Sequence, residues 1–121
     1  MDDMTGHDIA ERTRVLSHGI YARAVDTDPT LIEQAKAQIE RLISGDRGTK
    51  GHELWQLLLR RPWPEVRARM LAETPEGRLL RSNSPFSTLI GIQDPDERSR
   101  LWRQAKHDLS ARTTSSALSA A

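Results

Sequence analysis

Residues 28–43 read Asp-Pro-Thr-Leu-Ile-Glu-Gln-Ala-Lys-Ala-Gln-Ile-Glu-Arg-Leu-Ile, and they decide the fold class. Leu31, Ile32, Ala35, Ile39, Leu42 and Ile43 recur at helical steps and form one apolar stripe. Glu33, Lys36 and Glu40 fall outside it. Asp28 is placed to cap the segment. Pro29 fits a first helical turn, where its missing N–H costs nothing. The spacing predicts a helix over 29–43.

Working outward, the same period holds on both sides. Upstream, Ile9, Thr13, Leu16 and Ile20 make a stripe over 7–24, which Gly19 weakens by about 1 kcal/mol relative to Ala. Downstream, the three glycines of 44–51 predict a loop. Helical runs are then expected at 52–60, at 64–72 with Val66 and Met70 one turn apart, and from Pro75 through Leu79 and Leu80. Pro62, Pro64 and Ser82-Asn83-Ser84-Pro85 separate them. Phe86, Leu89, Ile90 and Ile92 form a short apolar patch that fits either an extended segment or a turn of helix. Asp94-Pro95-Asp96-Glu97 has the order of a capping box, with Asp94 as N-cap and Glu97 at N3. The helix it opens carries Leu101, Trp102, Ala105 and Leu109. Residues 111–121 are low in complexity with little to bury, so a disordered tail is expected there. The predicted architecture is all-α: a compact bundle of five or six helices in a single domain over 1–110.

The chain has 121 residues and no cysteine, which removes disulfides, thiolate metal sites and cysteine nucleophiles. No apolar run approaches the roughly 20 residues of a membrane span. The acidic start Met1-Asp2-Asp3-Met4 does not read as a signal peptide, so a cytoplasmic location is expected. The net charge of +1 conceals a gradient. Residues 1–40 hold four basic and eight acidic side chains, 41–81 nine and five, and 82–121 five and four. On this basis 7–24 is taken as part of an acidic arm and 41–81 as a basic middle.

Catalytic and metal signatures are missing from the linear sequence. Gly45 and Gly51 do not make a phosphate loop, because Lys50 precedes the second glycine and no strand leads in. His7, His18, His52 and His107 include no H-E-x-x-H pair, and there is no G-x-S-x-G. The carboxylate pairs Asp26/Asp28 and Asp94/Asp96 sit where capping explains them. A non-catalytic protein without cofactor or metal is expected.

Arginine is the richest constellation. Arg60, Arg61, Arg67, Arg69, Arg78 and Arg81 fall within 22 residues, interleaved with Glu65, Glu73 and Glu76. Three readings compete: forks for phosphate, anchors for a protein partner, and a solvated face with local pairs such as Glu65/Arg69. Helix-turn-helix support is weak, since Trp63 and two prolines crowd the turn between 52–60 and 64–72. Scattered tryptophans in a small helical chain are core anchors by default. Trp63, between two prolines and beside two arginines, is set apart as a partly exposed anchor.

Glu53, Trp55, Leu58 and Leu59, the segment Pro64–Glu76 and the run Leu79-Leu80-Arg81-Ser82-Asn83-Ser84-Pro85-Phe86 together resemble small helical bacterial proteins of the antitoxin kind. The resemblance covers about residues 27–105 and implies a protein that binds and masks a toxin. The expected partner surface is Trp63, Arg67, Arg78 and Arg81 with Ile9, Leu16 and Ile20 of the first helix. The alternative is a DNA- or RNA-binding regulator using Arg60, Arg61, Arg67 and Arg69.

Overall fold

The structure, a computed structural model, describes residues 6–120, with side chains described through Arg112. It is all-α, and the described residues contain no strand. Seven helices follow one another: α1 (Gly6–Thr27), α2 (Thr30–Ser44), α3 (Lys50–Leu58), α4 (Trp63–Leu71), α5 (Pro75–Ser82), α6 (Pro85–Leu89) and α7 (Pro95–Ala120). The apolar patch after Ser84 is thus helical in its first half. Gly91, at φ 62°, turns the chain out of α6. No helix is long and apolar enough to cross a membrane among the described residues.

Short side chains set the breaks. Asp28 Oδ1 accepts the N–H of Thr30, Thr74 Oγ1 that of Gly77, Ser84 Oγ that of Phe86 and Asp94 Oδ1 that of Asp96. Thr74 and Ser84 are the N-caps of their helices, and each such cap stabilises its helix by about 1 kcal/mol, whereas the Asp28 bond lies just ahead of Pro29, which begins α2 without a side-chain cap. Prolines at 64, 75 and 85 stand in first turns, where no N–H is needed.

The chain divides into two compact units. In residues 18–91, α2 packs on α3 and α6, α3 packs on α5, and α5 packs on α4. Trp55, Phe86, Ile39, Leu58, Met70, Leu80, Val66 and Val25 fill the core. Trp55 is fully buried, and its Nε1 donates to the Leu80 carbonyl at 2.7 Å. Phe86 meets Trp55 edge-on at 5.7 Å and Trp63 at 6.1 Å, so α6 holds one ring between two indoles. The other unit combines residues 1–17 with 92–121. There the start of α1 meets α7: Ile9 and Ala105 are buried, and Arg12 Nε lies 3.0 Å from Asp108 Oδ2.

Several expectations need correcting. The glycine-rich loop ends sooner than composition suggests. Thr49 and His52 form a reciprocal capping box, and α3 begins at Lys50 with Gly51 inside it. Gly51 is not there for flexibility: a Cβ would collide with the Asn83 side chain, so glycine lets α5 approach. Trp102 is not a core anchor, being 42% exposed. Nor is 7–24 an acidic helix, because Asp8 and Glu11 are outnumbered by Arg12, Arg14 and Arg23. The acids of the first forty residues lie instead at positions 2, 3, 26, 28, 33 and 40. The tail expected over 111–121 is not among these corrections: its side chains beyond Arg112 lie outside the described residues.

Candidate functional site

The end of α1 and the start of α4 meet at one carboxylate. Asp26 Oδ1 accepts the indole N–H of Trp63 at 2.7 Å, and Oδ2 accepts Arg67 Nε at 3.2 Å. Helical geometry makes this possible: positions 63 and 67 are four residues apart and share a face. Trp63 is half-buried, with one edge on Phe86, while Asp26 is exposed. The result is a tryptophan and an arginine joined at the surface by a shared acceptor.

The remaining arginines separate into three states. Arg61 Nε pairs with Glu65 at 2.7 Å. Arg69 makes a two-pronged contact with Glu76, at 2.8 and 2.9 Å, and lies 3.9 Å from Glu65. The hydrogen bond to Glu76 holds the Arg69 guanidinium above its ordinary range, and the same bond holds the Glu76 carboxyl below its own. Arg81 is only 3% exposed. It donates through Nη1 to the carbonyls of Met70 and Ala72, at 2.9 and 2.7 Å, and so satisfies the open end of α4. Arg60 and Arg78 are exposed with no ion pair among the described residues.

The expected partner residues are therefore not one surface. Trp63 and Arg67 are brought together, and Arg78 is exposed on α5. Arg81 is withdrawn into the fold, because α5 turns its buried positions 77, 80 and 81 inward together. On α1, Ile9 is buried while Leu16 and Ile20 are half-buried, so that stripe is not an open face. The four residues of the nucleic-acid alternative fare similarly: Arg61, Arg67 and Arg69 are matched by carboxylates, leaving Arg60.

Two features were not read from the sequence. Leu57 and Leu79, 59% and 40% exposed, leave large apolar side chains at the surface of the 18–91 unit. Asp26 as the shared acceptor was also missed, since its position beside Asp28 suggested capping alone. Among the described residues, no three His, Asp or Glu side chains gather as metal ligands. Compared with protein-family models, curated proteins and solved structures, the chain matches none.

Proposed function

We propose that this chain is a non-catalytic protein-interaction module that uses the 18–91 unit to hold a protein partner. The observation that carries the reading is the double acceptance by Asp26, which fixes Trp63 and Arg67 before any partner arrives. Tryptophan and arginine are the side chains most enriched among interface hot spots, and ordering them in advance lowers the entropic cost of binding. Exposed Leu57 and Leu79 add apolar area, and Arg60 and Arg78 add cations with no internal claim on them. The resemblance carried by Glu53, Trp55, Leu58 and Leu59 suggests the kind of partner, a bacterial toxin masked in the cytoplasm. The nucleic-acid reading of 60–81 is disfavoured by the pairing of Arg61, Arg67 and Arg69.

The test is affinity capture from extracts of the source cell at moderate salt, with and without nuclease. The expected result is one protein retained at equal stoichiometry after nuclease, and lost with the Arg60→Glu/Arg78→Glu variant. Retention of no stoichiometric protein after nuclease treatment, or of one that the variant keeps equally well, would overturn the proposal.

A further inference from the structure

The largest set of unmatched charge lies on α7. Its acids are segregated. Asp96 and Glu97 stand in the first turn, and Asp108 is turned toward Arg12 and Gln104. Three of its five Lys and Arg side chains share another face, while Arg98 and Arg112 lie on the far side of the helix. At 3.6 residues per turn, Ser99, Arg100, Arg103, Lys106, His107 and Ser110 fall within an arc of about 120°. All six are exposed. Arg100, Arg103 and Lys106 have no ion pair or hydrogen bond among the described residues. Asp96 alone of the acids shares the arc, at its N-terminal end. Arg103, Lys106, His107 and Ser110 line a shallow open depression on the same face. The opposite side of the helix is occupied, with Ala105 buried and Leu101 and Leu109 half-buried.

We propose that this face of α7 binds the phosphate backbone of duplex nucleic acid. Charge complementarity decides the occupant. Three unpaired cations span about 10 Å of helix, on a convex rod that a major groove can admit. Two of them are arginines, whose forked donors suit phosphate oxygens. A membrane surface fits less well, because an interfacial helix needs an apolar face to insert, and the apolar side of α7 is packed. Trp102 flanks the cationic arc and lies outside it. The contacts argued for are to phosphate, which carries no sequence information, so sequence-independent binding is expected. This inference stands apart from the partner surface of residues 18–91, and neither depends on the other.

The experiment is fluorescence anisotropy with the full chain and a labelled DNA duplex of roughly 20 base pairs, titrated at several salt concentrations. Each phosphate neutralised contributes about −0.9 to the slope of log K against log salt, so Arg100, Arg103 and Lys106 together give about −3. The R100Q/R103Q/K106Q variant keeps good helix formers at all three positions. It is expected to bind at least tenfold more weakly at low salt, with a slope near zero and an unchanged circular dichroism spectrum. A single R103E variant should weaken binding in the same direction. R60Q/R78Q should leave duplex binding unchanged. No duplex binding at low salt would overturn the proposal. So would binding that the triple variant retains, or retention by anionic vesicles when the duplex is not bound.

Discussion

The guanidinium of Arg81 lies 2.7 Å from the carbonyl oxygen of Ala72, the residue that closes α4, while remaining almost wholly out of solvent. A buried cation is tolerated here because it meets carbonyls that the end of a helix leaves without partners. Arg81→Met keeps much of the volume and removes the donors. The expected loss is about 2–3 kcal/mol, the scale of charged hydrogen bonds and of stranded acceptors. The midpoint of urea denaturation measures it. A variant as stable as the parent would show that water replaces the arginine at no cost.

Gly77 and Gly19 should respond to alanine in opposite senses. A Cβ at 77 would collide with the Ala72 carbonyl oxygen and sit 3.0 Å from Arg81 Nη1, whereas nothing lies within 4 Å of one at 19. Gly77→Ala is therefore expected to destabilise by about 2 kcal/mol, as overpacking does. Gly19→Ala should stabilise by roughly 0.5–1 kcal/mol through helix propensity. Thermal unfolding of the two variants in one buffer checks the sign of each.

Asp26 joins two side chains, so removing it acts on both. Asp26→Asn keeps an acceptor for the Trp63 indole but loses the charge opposite Arg67; Asp26→Ala loses both. Because the ion pair is exposed, Asn should cost under about 1 kcal/mol in stability. Partner capture should fall in Asn and be weaker still in Ala, as ordering of the anchors is lost. Equal capture by all three proteins would show that this ordering is unimportant.

Stability should decline on acidification, through two carboxylates. Glu76 is held low by its hydrogen bond from Arg69. Burial pushes Asp108 upward, but hydrogen bonds from Gln104 and Arg12, with the charges of Arg12 and His107, bring its carboxyl below the usual value. For a group whose folded pKa is depressed, the folded state binds fewer protons than the unfolded chain over the intervening range. The stabilisation is full above the ordinary carboxylate values, near 4.5 for Glu76 and 3.8 for Asp108, and is lost as pH falls through the depressed ones. Denaturation midpoints from pH 6 down to about 3 should slope less in the E76Q and D108N variants. An unchanged acid limb in both would remove these two groups as its cause.

Periodicity made α2 legible, because Leu31, Ala35 and Ile39 needed only a helix and a neighbour to bury them. Asp94 was legible for a similar local reason: a cap satisfies an amide two residues away. What escaped was set by contacts distant in the chain. Gly51 reads as a loop residue until Asn83, thirty-two positions later, occupies the place of its Cβ. Arg81 reads as a surface charge, yet it shares the stripe Gly77, Leu80, Arg81 and Ser84, all of which are buried. That i, i+3, i+4, i+7 spacing was the available signal. The site followed the same rule. Trp63 was singled out from its flanking prolines, while its acceptor lay thirty-seven residues upstream. The cationic arc of α7 was hidden by counting charge along the chain instead of around the helix.

That arc also changes what the formal charge of +1 means in practice. Average charge governs migration in a uniform field, but adsorption to a charged matrix responds to the densest local cluster. A protein close to electroneutral, with three unclaimed cations on one face of a helix, is expected to be retained on a cation exchanger longer than its isoelectric point alone suggests. Its retention is thus expected to depend most on about ten residues of α7, while the arginines of 61–69 contribute little because their charge is already matched nearby.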